Sequence, residues 1–343
     1  MRGRDSRNIN GTLTWRLSGT ATLHPRENMV SLQPVEQTRR KAQKLAMNEL
    51  LSDPCVERSG GRRRVRQWVW ATAGACALGG LYPGRLEKHW FRLERHEMPL
   101  PGLGRAFDGV RLAHISDVHC SLIVLERYLH QCVDAVNELD VDFVAITGDV
   151  ISYGRYFARR AATILGRLNP RVATLACLGN HDYGLFFPER ANRREAKTAL
   201  ADYVADQLSR QDIFVMLNEP RVFRRGESSI QFVGMEDFWS SRYDARRAFE
   251  SVHQDLPTVA IVHNPDAADD LARHGADFVL AGHTHGARLP KYMPTKTDYH
   301  AGLYTLGGHK RLYVNRGISH GRRINVNARP EITLFTLRSR DRM

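Results

Sequence analysis

Between Val110 and Ala281 short apolar runs alternate with longer amphipathic stretches. The apolar runs predict strands over 110–116, 142–147, 172–178, 257–262 and 277–281. The stretches between them predict helices near 121–139, 155–168, 189–210, 243–253 and 266–273. Three shorter runs, near 213–217, 221–225 and 230–235, read as further strands, as do 303–306, 311–315 and 331–337 in the tail. Strand–helix alternation followed by a strand-rich tail predicts a layered α/β sandwich with mixed sheets.

The pattern is absent before residue 108. Residues 1–60 read as a poorly ordered basic extension, with a short helix possible only in EQTRRKAQKLAMNELL. Residues 61–84 read as a signal or membrane anchor segment. There Arg62, Arg63, Arg64 and Arg66 precede an uncharged stretch of 18 residues, Gln67–Gly84. A spanning helix needs ~20 apolar residues and a signal core ~7–15, so this moderately apolar stretch fits a signal or weak anchor. Its paired arginines fit twin-arginine export, and Ala75-Cys76-Ala77 offers small residues for cleavage. Met47 is an alternative start just upstream. Residues 85–107 read as a linker into a domain over 108–340.

Charge adds one constraint. The net charge is +13, but residues 1–66 hold 14 Lys and Arg against 6 Asp and Glu, so the domain is only mildly basic. With no basic motif interleaved with aromatics, a nucleic-acid partner is not expected. The basic flank suits a membrane surface instead. The five cysteines (Cys55, Cys76, Cys120, Cys132 and Cys177) form no CxxC pair, so neither a disulfide framework nor a zinc knuckle is implied.

The candidate chemistry lies where predicted strands end. Five clusters follow them: Asp117-Val118-His119, Gly148-Asp149, Gly179-Asn180-His181-Asp182, His263-Asn264 and Gly282-His283-Thr284-His285-Gly286. Strand ends feeding glycine-rich loops are where open α/β sheets gather ligands. In an extended segment residues i and i+2 share a face, so Asp117 with His119, and His283 with His285, can each reach one ion. Asp117, His119, Asp149, Asn180, His263, His283 and His285 are too many donors for one tetrahedral zinc with an open position. Mixed oxygen and imidazole donors suit two divalent ions, of Mn, Fe, Zn or Co. His309, in TLGGHK, is a candidate to approach substrate, and Phe186, Phe187, Phe238 and Trp239 are candidates for a lipid-facing rim.

HISDVH, TGDV, GNHDYG, HNPD and GHTHG resemble, in order and spacing, the calcineurin-like metallophosphoesterase family over about residues 109–337. GNHDYG, LYVNRG and PEITLFTL are similar to its bacterial membrane-associated phosphodiesterase subgroup. The resemblance implies the metallophosphoesterase fold, a four-layer α/β/β/α sandwich with two mixed sheets. It implies that Asp117, His119 and His285 hold one metal, that Asn180, His263 and His283 hold the other, and that Asp149 bridges them. It makes His181 a catalytic residue beside the ions, acting on the phosphoryl oxygens or the leaving group, with Asp182 orienting its ring. The implied reaction is hydrolysis of a phosphodiester or pyrophosphate by a hydroxide bridging the metals.

The implied substrate is a phosphate ester, lipid-linked in the leading reading and a small soluble nucleotide in its rival; a non-catalytic scaffold is a third reading. Where the subgroup often has GHTHGGQ, this chain has Gly286-Ala287-Arg288, which makes Arg288 a candidate contact to an anionic substrate. No obligate protein partner is expected. The expected location is membrane-associated on the extracytoplasmic face, the alternative being the cytoplasmic face of the inner membrane.

Overall fold

A computed structural model of the chain describes residues 12–14, 68–70, 90–186, 197–286, 298–319 and 329–340. The chain divides into two compact units, Leu17–Gly80 and a larger one of Met1–Arg16 with Leu81–Met343. Most of the expected signal or anchor segment lies outside the described residues. Among those described, no helix is long and apolar enough to cross a membrane.

In the larger unit two sheets are stacked. One contains β2 (Arg92–Pro101), β3 (Arg111–Ile115), β4 (Phe143–Thr147), β5 (Ala173–Cys177), β6 (Ile213–Val215) and β13 (Glu331–Arg340), in the order β2-β13-β3-β4-β5-β6. The other contains β1 (Thr12–Thr14), β7 (Glu219–Arg225), β8 (Ser228–Gly234), β9 (Thr258–Ile261), β10 (Phe278–Ala281), β11 (Gly302–Gly307) and β12 (Lys310–Val314), in the order β1-β7-β8-β9-β10-β12-β11. Both sheets mix parallel and antiparallel pairs.

Strand alternation divides the core. Leu112, Phe143, Ala145 and Leu175 point inward, against Phe223, Phe232, Val259, Ile261 and Phe278 of the other sheet. Ala113, Ile115, Val144, Ile146 and Ala176 point outward, beneath α1 (Glu126–Glu138), α2 (Arg155–Leu165) and α3 (Thr198–Ser209). On the far side Val233, Ala260, Val262, Val279 and Ala281 lie beneath α4 (Ala245–Phe249) and α5 (Ala268–His274). The result is the expected four-layer α/β/β/α sandwich. Strands covered on both faces explain why β3, β4, β5, β9 and β10 were legible as continuous apolar runs.

Several boundaries differ from the sequence reading. Residues 92–101, read as linker, form the ten-residue β2, which pairs in parallel with the last strand across its whole length. It is an edge strand, which accommodates Pro99 and Pro101. Thr12–Thr14, inside the supposed poorly ordered extension, pairs its backbone with β7. The helix predicted from 121 begins only at Glu126, so 121–125 is a loop. The helix predicted over 189–210 is described from Thr198, and 187–196 lie outside the described residues.

Candidate metal centre

The strands β3, β4, β5, β9 and β10 all end at one edge of the sandwich, and their neighbouring pairs are parallel. Each of the five clusters lies within a few residues of such an end. The structure brings the donors together in groups: Asp117, His119 and His285; His119, Asp149 and His181; Asp149, His263 and His283. Within each group the donor atoms lie within 4.8 Å of one another. Asn180 joins the last group through its Oδ1, 3.2 Å from His263 Nε2.

Asp149 is the hub. Its Oδ2 is 3.2 Å from His263 Nε2, 3.5 Å from His119 Nε2 and 4.0 Å from His181 Nε2. Its Oδ1 accepts the His181 backbone N–H at 2.9 Å. On one side His119 Nε2 and His285 Nε2 face each other at 3.2 Å, and Asp117 Oδ1 lies 3.8 and 3.4 Å from them. On the other, His283 Nδ1 and His263 Nε2 are 3.2 Å apart.

Strand alternation does not explain these groupings. β3 stops at Ile115, and Asp117 and His119 have φ of 52° and 46°. His283 and His285, at 73° and 53°, do not share an ion site as alternation suggested; they face different groups. Asp149, at 50°, makes five ligand candidates in the left-handed region. Non-glycine residues persist there only where surrounding structure over-determines them, and such positions cluster at functional sites.

Close approach needs glycine at two of these turns. A Cβ on Gly179 would collide with Asp149, and one on Gly282 with Ser116 Oγ and Asp117 Oδ2. Gly282→Ala is therefore expected to displace Asp117 and to weaken Mn binding by at least about tenfold. Titration of the metal-free protein with Mn checks it; unchanged affinity would mean the loop gives way.

Supporting residues set the tautomers. The Thr147 carbonyl accepts from His263 Nδ1 at 2.7 Å, which turns Nε2 toward Asp149. Ser116 Oγ and the His283 N–H both donate to Asp117 Oδ2, at 2.6 and 3.0 Å. Asp117 Oδ1 is buried and accepts no hydrogen bond. His181 Nδ1 faces the Ser152 carbonyl at 3.1 Å, turning Nε2 toward the site.

Asp182 does not orient that ring. Its carboxylate is fully buried and accepts the backbone N–H groups of Gly179, Val150 and Ile151 at 2.9, 3.2 and 3.0 Å. The correction has a simple cause. Between the ends of β4 and β5 those amides have no sheet partners, and a buried carboxylate satisfies three of them.

The charges are suited to cations. Burial pushes Asp117 up to about 6, against the pull of His263, and pushes Asp182 up to about 7 with Asp149 adding to it. Burial also disfavours ionised Asp149, but His263, His181 and His119 outweigh it and hold the carboxyl well below its usual range. Burial likewise disfavours charged His263, yet Asp149, Asp117 and Asp237 push it up to about 10. Divalent ions satisfy the Asp117 oxygen that lacks a donor and the imidazole nitrogens that face one another. The donor set fits them.

Other candidates are placed differently. His309 pairs with Asp277 at 2.9 Å, at the opposite end of β10, so it is not near the ligand groups. Phe238 packs against Tyr243, with ring centroids 5.0 Å apart, and Trp239 lies edge-on to His283 at 4.7 Å. Both are half-buried and neither is an outer rim. Phe186 is exposed and edge-on to His181 at 5.0 Å. Arg288 and Phe187 lie outside the described residues.

Ser116, Thr147 and Ser152 were missed because nothing in their spacing marks them. Asp237 was missed too. It is fully buried, and its Oδ1 holds the Trp239 N–H at 2.9 Å, fixing the turn that sets Trp239 against His283. Arg316, which neighbours Gly286 and is ion-paired with buried Glu331, was likewise not singled out.

Comparison with known proteins agrees with this geometry. The family model described as calcineurin-like phosphoesterase matches residues 110–287. UDP-2,3-diacylglucosamine pyrophosphatase LpxG of Chlamydia muridarum is 27% identical, over 79% of this chain and 93% of that one. The uncharacterised metallophosphoesterase YkuE of Bacillus subtilis is 29% identical, over 80% and 97%. The phosphodiesterase YaeI of Escherichia coli is 27% identical, over 80% and 98%.

Proposed function

From the premise that this chain belongs to the calcineurin-like phosphoesterase family, and is therefore a metal-dependent phosphohydrolase, we propose that it uses two divalent ions to cleave a phosphodiester or pyrophosphate in a lipid-linked substrate. The observation that carries the two-ion reading is the position of Asp149 Oδ2, within 3.5 Å of imidazole nitrogens from both flanking groups. Asp117, His119 and His285 would hold one ion, Asn180, His263 and His283 the other, and Asp149 would serve both. Mn, Fe, Zn and Co all suit these donors. Bound there, such ions supply charge to the phosphoryl oxygens and lower the pKa of water.

The chain's own residues complete the chemistry. His181 is the most accessible of the imidazoles, with 22% of its side chain exposed against 5% or less for His119, His263 and His285. With Nδ1–H held by the Ser152 carbonyl, Nε2 faces the site, where in the imidazolium form it would donate to a phosphoryl oxygen or to the leaving oxygen. Asp182 fixes the loop that carries His181, acting through backbone amides and not through the ring.

The likeness to a pyrophosphatase of a diacylated nucleotide sugar supports the lipid-linked substrate. The basic segment before Gln67 supports association with a membrane, with the domain on the extracytoplasmic face.

The test is hydrolysis by the Mn-reloaded full chain, with metal content measured on the same sample. Bis(p-nitrophenyl) phosphate is compared with a diacylated sugar linked to a nucleoside diphosphate. Metal-dependent cleavage of both is expected, with the lipid-linked pyrophosphate faster by at least about tenfold. Soluble nucleotides turned over as fast as the lipid would overturn the substrate class.

A further inference from the structure

The exposed apolar side chains of the larger unit are not scattered. Among its described residues eight large hydrophobics are exposed, and six of them are Leu122, Ile123, Leu125, Tyr153, Tyr156 and Phe186. These occupy the segments that follow β3, β4 and β5, neighbouring parallel strands whose ends carry the ligands. Leu122 and Tyr156 are 76% and 71% exposed, far beyond what core packing explains.

The three segments are tied into one surface. Cys120 and Ile151 form a β-bridge, and the Cys120 N–H donates to the Val150 carbonyl at 3.0 Å. Ser152 donates to the His119 carbonyl through Oγ, and its own carbonyl faces His181 Nδ1. Phe186 packs edge-on against His181. Tyr153 and Tyr156 both pack edge-on against Phe157, with centroids 5.2 Å apart, leaving their outer faces bare. The apolar rim is thus continuous with the His119 and His181 side of the metal centre.

Cations flank it. Arg127, Arg155 and Arg159 are exposed beside the rim, and Arg155 and Lys197 line a shallow cleft between the starts of α2 and α3. The neighbouring Glu126 carboxylate is neutralised by Arg160. Apolar tips ringed by cations complement a bilayer with anionic headgroups: the side chains enter the acyl boundary while the cations stay among the phosphates. A monomeric soluble protein has little reason to keep such a contiguous patch.

The geometry points to this rim, centred on 121–125, 153–156 and Phe186, as the surface that docks the phosphoesterase on an anionic phospholipid membrane and aims its metal centre at headgroup-level phosphate esters. The inference rests on the lipid-substrate reading above and deepens it by naming the contact.

The test is hydrogen–deuterium exchange on the Mn-loaded full chain, alone and with vesicles of phosphatidylglycerol or phosphatidylcholine. Slowed exchange in 120–127 and 152–157 with phosphatidylglycerol, and less with phosphatidylcholine, is expected. Exchange there that ignores vesicles overturns the inference, as does slowing that follows protein concentration without vesicles, the mark of a second copy. The variant Leu122→Ser/Ile123→Ser/Tyr156→Ser gives a second reading. It is expected to lose at least about tenfold in turnover of vesicle-borne substrate while hydrolysis of soluble bis(p-nitrophenyl) phosphate is unchanged. Full retention of vesicle turnover sinks the rim. Exchange protection without cleavage of the lipid-linked pyrophosphate sinks the substrate reading alone; cleavage without protection sinks the rim alone.

Discussion

Asp149→Asn is expected to abolish most activity, lowering metal-dependent diester hydrolysis by at least about 10³-fold, beyond what one lost electrostatic donor costs. The reason is its position between groups. Its Oδ2 is within 4.0 Å of Nε2 of His119, His263 and His181, so one substitution removes negative charge from both flanking sites. The carboxamide is nearly isosteric and keeps an oxygen for the His181 N–H, so the loop geometry survives. In the metal-free protein the change relieves repulsion with Asp117 and Asp182 but loses the larger attraction to His263, His181 and His119, which holds the Asp149 carboxyl well below its usual range. The metal-free variant is therefore expected to melt below the wild-type temperature near neutral pH, while the rise in melting temperature on adding Mn disappears. Thermal melts with and without Mn, with metal analysis, check both halves. A variant that keeps two ions per chain would remove Asp149 from its shared role.

His181→Ala is expected to have the second largest effect, a loss of about 10²- to 10⁴-fold in turnover, the range typical of a positioned proton donor. Two readings of this residue compete. Its Nε2 lies with His119 and Asp149 in a group compact enough to hold an ion. Against ligation, it is the most exposed of these imidazoles and the farthest from the Asp149 oxygen. A donor to substrate needs that access, and a ligand does not. Metal content separates the readings: two ions retained with turnover lost fits the donor, whereas loss of an ion makes His181 a ligand. Ser152 presents only its carbonyl to the ring, so Ser152→Ala is expected to leave turnover within about threefold of wild type.

Much of this architecture was legible in the chain. The strands β3, β4, β5, β9 and β10 are covered on both faces, and such strands must be written as apolar runs. Their ends must be polar where chemistry is done, so the donor types stood out at regular intervals. Less was legible where the signal depends on a distant partner. β2 carries Arg92, Glu94, Arg95 and Glu97 and two prolines, and becomes a strand because β13, more than 230 residues later, pairs with it. The loop 121–125 carries the apolar residues of a helix but leaves three of them in solvent.

Sequence alone determined the strand–helix order, the set of candidate donor side chains and the class of ion they suit, because burial periodicity and ligand chemistry are properties of residues in series. Tertiary structure decided how the donors are divided. Left-handed turns at Asp117, His119, Asp149, His283 and His285 aim side chains where strand alternation would not. His283 and His285 part company for that reason, and Ser152, not Asp182, comes to hold His181. Which groups meet depends on backbone angles at five residues in three loops and on the stacking of two sheets, and neither is written in the spacing of residues along one chain.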